Sequence, residues 1–285
     1  MKRPVPQAEE AVGAAPLADV PISQVVGARD WRRGGSAEVT DTVACELPVA
    51  LVYNGISHVV MMATPADLEE FALGFSLTEG ILADPRELYD LEVLPQASGI
   101  EVAMTIAAER FSALKAVRRN LTGRTGCGLC GAESLQQAVR KPAPVAGNFR
   151  IDHAAIERAV AQLSAHQPLQ AHTGAVHGAA WCDVAGQILA LREDVGRHNA
   201  LDKLIGARCR LAAPWDAGFA LISSRASYEM VVKAASQGIA ILAAVSAPTA
   251  LAIDLAEAAN LTLVGFARPG RHMVYTHPQR IIGSE

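Results

Sequence analysis

The 285-residue sequence predicts an α/β protein with an α+β N-terminal part built on β-hairpins and a C-terminal α/β layered part. Three observations predict it. The second half alternates apolar strand-like runs with helical patterns in the order β-α-β-α-β, which suits a layered sheet covered by helices. The first half brackets apolar runs with tight-turn residues. Finally, 51% of residues are hydrophobic, 19% charged and only 5% aromatic, so the chain can bury a large, mainly aliphatic core. At roughly 150 residues per domain, the length suggests about two domains. We expect a flexible tail over 1–22, an N-terminal β-rich domain with helices over 23–145, and a C-terminal α/β domain over 146–285.

The Ala- and Pro-rich stretch 1–22 has no clear period and reads as tail. Residues 38–62 read as β structure. Pro48 opens an apolar run to Tyr53, Asn54-Gly55 supplies a tight hairpin turn, and Ile56 to Met62 return. Thr64-Pro65 reads as a helix start, with Leu68, Phe71, Ala72 and Phe75 on one face and Gly80 as the end. Asp84-Pro85 with Glu87 repeats the start signal, and 91–107 suggests a hairpin around Ser98-Gly99. A basic stretch, 110–124, leads into the cysteine motif; a short helix is expected after it, and then a Lys141-Pro142-Ala143-Pro144 linker. Asp152 reads as the cap of a helix with Ile156, Val160 and Leu163 on one face. Strands are expected near 174–182 and 187–192, and a helix after Gly196. Strand 217–223, helix 227–237, strand 239–245, helix 248–259 and strand 261–267 follow.

The formal charge of −4 gives no reason to propose nonspecific nucleic-acid binding. Two long tracts lack Asp, Glu, Lys and Arg: Ala159 to Cys182 and Ala234 to Ile253. The first is broken by His166, Gln167, Pro168, His172 and His177. The second has a break at Ser246-Ala247-Pro248 between a strand and a helix. Both read as buried elements rather than membrane spans. No compact apolar segment with a cleavage pattern follows Lys2 and Arg3, and the five cysteines are odd in number. Reduced thiols in the cytoplasm fit better than a disulfide framework.

Cys127-Gly128-Leu129-Cys130 is the sharpest chemical signal. Two thiols three positions apart support redox chemistry, metal ligation or sulfur transfer, and flanking glycines allow close approach. The basic residues before the pair, with a helix start after it, favour the thiolate. Structural zinc and thioredoxin-like redox chemistry remain alternatives. Zinc needs more ligands, which only the fold could bring from Cys182, Cys209 or His177. Redox chemistry of that type needs a strand before the pair, and Arg118 to Gly123 makes a poor one. Gly126, Gly128 and Gly131 spell G-x-G-x-x-G, yet the apolar strand of a dinucleotide fold is missing before them, so that reading is rejected. A zinc deaminase is disfavoured because no H-x-E motif occurs. The basic stretch 110–124 reads either as a solvated face or as an anion funnel.

Three polar loops follow predicted strands: Arg192 to Asn199, Ser223-Ser224-Arg225, and Phe266-Ala267-Arg268-Pro269-Gly270-Arg271. Open α/β sheets bind ligands at such strand ends. Gly196, Arg197 and His198, at the start of a helix, suit an anion, while a solvated, capped turn is the equal alternative for that run. Two arginines around Pro269-Gly270 suit phosphate groups. Cys45, Cys182 and Cys209 read as packing residues, and His58 and His153 as structural.

Taken in order, these motifs resemble the formate dehydrogenase accessory sulfurtransferase family, FdhD. The resemblance covers most of 38–282. It rests on Asn54-Gly55, Thr64-Pro65, Leu73-Gly74-Phe75, Leu77 to Gly80, Gly126 to Gly131, Glu193 to Lys203, Ser223-Ser224-Arg225, Ser246 to Thr249 and Tyr275 to Pro278. It implies a cytoplasmic homodimer that takes persulfide sulfur from a cysteine desulfurase. The sulfur would pass to the molybdenum bis-guanine-dinucleotide cofactor, bound as cargo with no permanent protein metal, for formate dehydrogenase. By resemblance, Cys127 is the persulfide carrier and Cys130 an assisting or alternative acceptor. Phe266, Ala267, Arg268, Pro269, Gly270 and Arg271 match the family's cofactor-binding segment, and 146–285 becomes a cofactor-binding domain similar to the cytidine deaminase fold. Gly196, Arg197 and His198 are added to the binding set. A cofactor-binding chaperone without turnover and a zinc-binding interaction module are the competing functions.

Overall fold

The computed structural model describes residues 20–121, 141–147, 149–213, 215 and 217–283, with the backbone alone over 117–121. Most of the expected tail, the Cys127–Cys130 motif and the helix expected after it lie outside the described residues. The linker Lys141 to Pro144 carries neither helix nor strand.

The chain opens with a ribbon of β1 (Ser23–Arg32) and β2 (Gly35–Ala44), paired antiparallel from Ser23↔Ala44 to Arg32↔Gly35. Sequence reading anticipated only the second half of it. Next come β3 (Leu47–Tyr53), β4 (Ile56–Ala63), α1 (Leu68–Thr78), β5 (Leu88–Gln96), β6 (Gly99–Ile106) and α2 (Ala108–Leu121). The strands form one sheet in the order β4-β3-β6-β5, with β3 and β6 parallel at its centre and antiparallel pairs outside. Alternation sends Val49, Leu51 and Tyr53 of β3 and Ile100, Val102 and Met104 of β6 to one face, against Phe71, Ala72 and Phe75 of α1. Burying a side chain of that size is worth about 1.5–3 kcal/mol. The buried Tyr53 hydroxyl is satisfied by Ser76 Oγ at 2.8 Å. Asn54 and Gly55 both have positive φ, 46° and 80°, as a two-residue hairpin turn requires.

Two expected helix starts are corrected. α1 begins at Leu68, with Asp67 in a left-handed conformation as its N-cap, not at Thr64-Pro65. Thr64 is instead held by the other half of the molecule, as described below. Asp84-Pro85 with Glu87 does form a capping box, but it closes a single 3-10 turn, Pro85–Glu87, before the chain enters β5.

The second half contains β7 (Ile151–Asp152), α3 (His153–Leu163), α4 (Pro168–Thr173), β8 (His177–Cys182), β9 (Ile188–Asp194) and α5 (Arg197–Arg210). Then follow β10 (Phe219–Ile222), α6 (Tyr228–Ser236), β11 (Ile241–Ala244), α7 (Ala250–Ala258), β12 (Thr262–Arg268), β13 (Arg271–Val274) and β14 (Ile281–Ile282). Asp152 caps α3 as expected, accepting from Ala154 N at 2.8 Å. The sheet order is β13-β12-β11-β10-β8-β9, with β10, β11 and β12 parallel. One face carries Ala179, Trp181, Ala220, Ile222, Leu242 and Ala244 under α5, α6 and α7. The other carries Ala180, Cys182, Phe219, Leu221, Ile241 and Ala243 under α3. A sheet covered on both faces explains why its strands read as unbroken apolar runs. The charge-free tract Ala234–Ile253 is the end of α6, then β11, the Ser246–Pro248 break and the start of α7. Among the described residues no helix is long and apolar enough to cross a membrane.

The two halves meet where α1 crosses α5. A Cβ on Gly74 would lie 1.8 Å from the Asp202 carbonyl oxygen, and one on Gly206 would lie 1.9 Å from that of Glu70. Only glycine lets the two backbones approach this closely. Buried charges are paired across the same seam. Lys233 Nζ contacts both Asp202 oxygens at 3.1 and 2.9 Å, Thr78 Oγ1 at 2.9 Å and Glu79 Oε1 at 3.0 Å. Burial opposes the Lys233 ammonium, but Asp202 and Glu79 more than offset it and hold its pKa above the ordinary lysine value.

Candidate site at the strand-end edge of the six-stranded sheet

Parallel pairing puts the C-terminal ends of β10, β11 and β12 at one edge of the sheet. β8 runs antiparallel to β10, and β9 antiparallel to β8, so the start of β8 and the end of β9 arrive at this edge too. His177 stands opposite Asp194 there. Backbone bonds tie the loops together. Ser223 N donates to Gly178 O at 2.9 Å, Ser246 N to Ser224 O at 3.4 Å, and Phe266 N to Ser246 O at 3.1 Å. Gly178 N donates in turn to Ser223 Oγ at 2.9 Å. The three polar loops singled out in the sequence therefore share one edge.

The run Arg192 to Asn199 divides between scaffold and site. Arg192 pairs with Glu70 of α1, its Nη2 lying 2.8 Å from Oε1. Glu193 caps α4 by accepting from Leu169 N and Gln170 N at 3.0 and 2.8 Å. Asp194 is fully buried and lies 2.6 Å from Lys203 Nζ, which is also fully buried. The Asp194 carboxylate also accepts from Thr64 N, Gly196 N and Asn199 Nδ2 at 3.0, 2.7 and 3.0 Å. Thr64 completes the clamp: its Oγ1 accepts from Val195 N at 3.1 Å and its carbonyl from Lys203 Nζ at 3.0 Å. Four hydrogen-bonding or ionic partners hold the Asp194 carboxylate in place, and with it the turn that starts α5.

Gly196, Arg197 and His198 follow that clamp, with Gly196 as the N-cap of α5. Arg197 is half-buried, and its Nε has no hydrogen-bond partner among the described residues. His198 Nε2 lies 2.8 Å from Glu229 Oε2 of α6. Burial pushes the His198 pKa below the ordinary value against the pull of Glu229, and Arg197 adds to the depression. His177 is depressed as well, first by burial and then by Arg197. Both imidazoles are thereby biased toward the neutral form. Ser227, the N-cap of α6, has a buried hydroxyl with no hydrogen-bond partner among the described residues.

The segment Phe266 to Arg271 forms the end of the β12–β13 hairpin, which runs on past the edge. Phe266 is half-buried and left-handed at φ 51°, at an irregularity in the β12–β13 pairing. Such a backbone costs a non-glycine residue about 1–2 kcal/mol, and strain of this kind gathers at functional sites. Ala267 is fully buried with the α3-side core, so it brings backbone rather than side chain to the edge. Gly270, at φ 74°, makes the turn with Pro269. Arg268 and Arg271 face each other across it, both exposed and without an ion-pair partner among the described residues.

Cys127 and Cys130 lie outside the described residues. The other cysteines do not form a site with one another. Cys182 is fully buried under α3, which drives its thiol pKa far up. Cys209 is half-buried on α5, and burial pushes its thiol up to about 11. Neither is a thiolate at neutral pH. Among the described residues no group of three His, Cys, Asp or Glu side chains is placed to hold a metal ion. Sequence reasoning missed His177 and Ser227 as edge residues. His177 had been weighed only as a zinc ligand, and nothing local says that the strand it opens returns beside β10.

The chain matches the FdhD/NarQ family over residues 44–282. It is 55% identical over 268 residues to the Sulfur carrier protein FdhD of Cupriavidus necator, covering 94% of this chain and 93% of that protein. The Sulfur carrier protein FdhD of Xanthomonas campestris pv. campestris is 54% identical over 261 residues, covering 92% and 93%. A putative formate dehydrogenase accessory protein from Desulfotalea psychrophila has a crystal structure similar to this one. Its TM-score is 0.75 at 28% identity, over 92% of this chain and 100% of that one. With a family match over most of its length and relatives above half identity, this chain belongs to the FdhD/NarQ family.

Proposed function

We propose that the chain is a sulfur carrier in formate dehydrogenase maturation. In this reading it is a cytoplasmic sulfurtransferase that takes persulfide sulfur from a cysteine desulfurase on Cys127 and delivers it to the molybdenum bis-guanine-dinucleotide cofactor. The observation that carries it is the motif Gly126-Cys127-Gly128-Leu129-Cys130-Gly131 in a chain whose relatives at 54–55% identity are named sulfur carriers. In the first step the Cys127 thiolate attacks the outer sulfur of the donor persulfide. A new S–S bond forms on Cys127, and the donor cysteine leaves as thiolate. Cys130 assists: its thiolate attacks the Cys127 sulfur, expels sulfide and closes a Cys127–Cys130 disulfide. That step supplies the two electrons that turn sulfane sulfur into sulfide.

The cofactor is cargo in this scheme. Arg268 and Arg271 are exposed beside a glycine turn and make no ion pair among the described residues, and Arg197 sits at a helix start. Together they offer guanidinium groups to phosphates, while the imidazoles of His177 and His198, biased toward the neutral form, add little charge of their own. The decisive measurement is intact-protein mass spectrometry after incubation with a cysteine desulfurase and cysteine. Wild type should gain one or more sulfur atoms, and Cys127→Ala should gain none. No gain in the wild type, with the desulfurase shown active in parallel, would leave a cargo-binding chaperone as the function.

A further inference from the structure

A cavity of about 480 Å³ opens along β9, the outer strand of the six-stranded sheet. Both halves of the chain wall it. Ser23 at the base of β1, with Thr64, Ala66 and Asp67 before α1, forms one side; α4 and residues Leu191 to Glu193 of β9 form the other. Its volume lies in the range of small-molecule sites. The β12–β13 hairpin that carries Arg268 and Arg271 stands four strand spacings away across the sheet, about 19 Å at the usual separation, so the two regions do not overlap.

The lining combines carbon surface with hydrogen-bond acceptors. Ile22, Ala66, Pro168, Leu169 and Leu191 supply the first. Asp67, His166 and His172 supply the second. Asp67 holds the N-cap position of α1, where an aspartate ordinarily accepts from the first helical N–H groups. With its backbone left-handed at φ 53°, its carboxylate makes no such bond. The Arg192 Nε beside it stands 3.7 Å off and is bonded to Glu70 instead. Partial burial holds the Asp67 carboxyl above the ordinary carboxylate range even though Arg192 pulls the other way, so its negative charge is under-compensated. Glu193, the other carboxylate on the wall, is taken up by Leu169 N and Gln170 N. Both imidazoles are oriented by their own helical turns: His166 Nδ1 lies 2.9 Å from Gln162 O, and His172 Nδ1 lies 2.6 Å from Pro168 O. A carbonyl oxygen only accepts, so Nδ1 carries the proton and Nε2 of the neutral ring is an acceptor.

We propose that this cavity binds a small primary amine, taken as its ammonium ion on a short hydrocarbon stem. The ammonium sets its charge against Asp67 and turns its remaining N–H donors toward His166 and His172, while the stem lies on the apolar wall. A compact cation with three donors suits acceptors that arrive from separate elements. The other ligand classes fit worse. An anion would meet the Asp67 and Glu193 carboxylates, with the Arg192 guanidinium already paired. A wholly apolar ligand would shut water away from the Asp67 carboxylate and give it no partner in exchange.

The test follows the histidine ring protons of the full-length chain by NMR as n-butylammonium chloride is added at pH 8 and constant ionic strength. Wild type should show saturable shifts at His166 and His172, with a dissociation constant in the millimolar range, and none at His177 or His198. n-Butanol, which has the stem without the charge, should bind more weakly by about fivefold or more. Asp67→Asn preserves the turn, since asparagine tolerates a left-handed backbone, and should weaken the ammonium by about fivefold or more while urea unfolding stays near wild type. Should that variant misfold, His172→Leu, an exposed position read out at His166, replaces it, and an unchanged affinity there overturns the proposal. So would shifts that rise linearly without saturating, butanol that binds as well as the ammonium, or a folded Asp67→Asn chain with wild-type affinity. Shifts centred on His177 and His198 would place the amine at the strand-end edge and overturn it equally.

Discussion

The seam between α1 and α5 and the strand-end edge draw on the same stretch of chain, Glu193 to Lys203. Asp194, Asn199, Asp202 and Lys203 turn inward, where each carboxylate meets an ammonium and hydroxyl or backbone partners. Arg197 and His198 stand at the edge, where one guanidinium nitrogen has no hydrogen-bond partner among the described residues and the imidazole is pushed toward neutrality. Burial with full pairing marks charge that holds structure, because an unpaired buried charge costs several kcal/mol. Charge left unpaired at a rim is available to a ligand. Density of polar residues in a motif thus says little about function until the fold separates the two sets.

The largest effect is expected at the seam. Gly206→Val puts a branched side chain where even a Cβ lies 1.9 Å from the Glu70 carbonyl. The backbone cannot give without moving α1 off α5. We expect a loss of about 5 kcal/mol or more, read as failure to fold or as a collapsed urea midpoint. A stable Gly206→Val protein would show that the crossing is looser than these distances say.

Lys203→Met comes next. It leaves Asp194 fully buried without its cation, while Thr64, Gly196 and Asn199 still donate to it. Removing one partner of a buried pair costs about 3–5 kcal/mol. Urea unfolding should show that loss. A change below about 1 kcal/mol would mean that the hydrogen bonds alone hold the carboxylate, and that the ion pair is not what fixes the start of α5.

Much of this was legible beforehand, and the failures have a common cause. Asn54-Gly55 forced its hairpin, and Asp152 capped its helix, because both act over two or three residues. The strand-helix alternation from 217 onward was legible because a doubly covered sheet needs continuous apolar runs. Thr64 was misread as a helix cap because its hydrogen bonds go to Asp194, Val195 and Lys203, more than a hundred residues away. Residues 23–37 went unread because a ribbon exposed on both faces has no apolar side to set a period. At the site, the loops after strands were found, but His177 was not, since an antiparallel strand inserted next to β10 leaves no local mark.

The smallest effect on stability, and the most informative contrast with the seam, is expected at the hairpin tip. Arg268 and Arg271 are exposed and make no ion pair among the described residues, so the double variant Arg268→Ala, Arg271→Ala should unfold within about 0.5 kcal/mol of wild type. Binding should behave oppositely. A hydrogen bond to a charged group is worth about 1.5–3 kcal/mol, so losing two guanidinium groups should weaken the binding of guanosine diphosphate, used as a calorimetric probe for one arm of the cargo, by about tenfold or more. Lys203→Met, compared under conditions where it remains folded, should lose less affinity than the double arginine variant, since it can disturb Arg197 at the start of α5 while none of the Asp194 partners belongs to the hairpin. If instead the arginine variant loses stability and keeps its affinity, the hairpin tip is structural. The search for the phosphate contact would then move to Arg197 and Ser227, where a guanidinium nitrogen and a buried hydroxyl at two helix starts lack hydrogen-bond partners among the described residues.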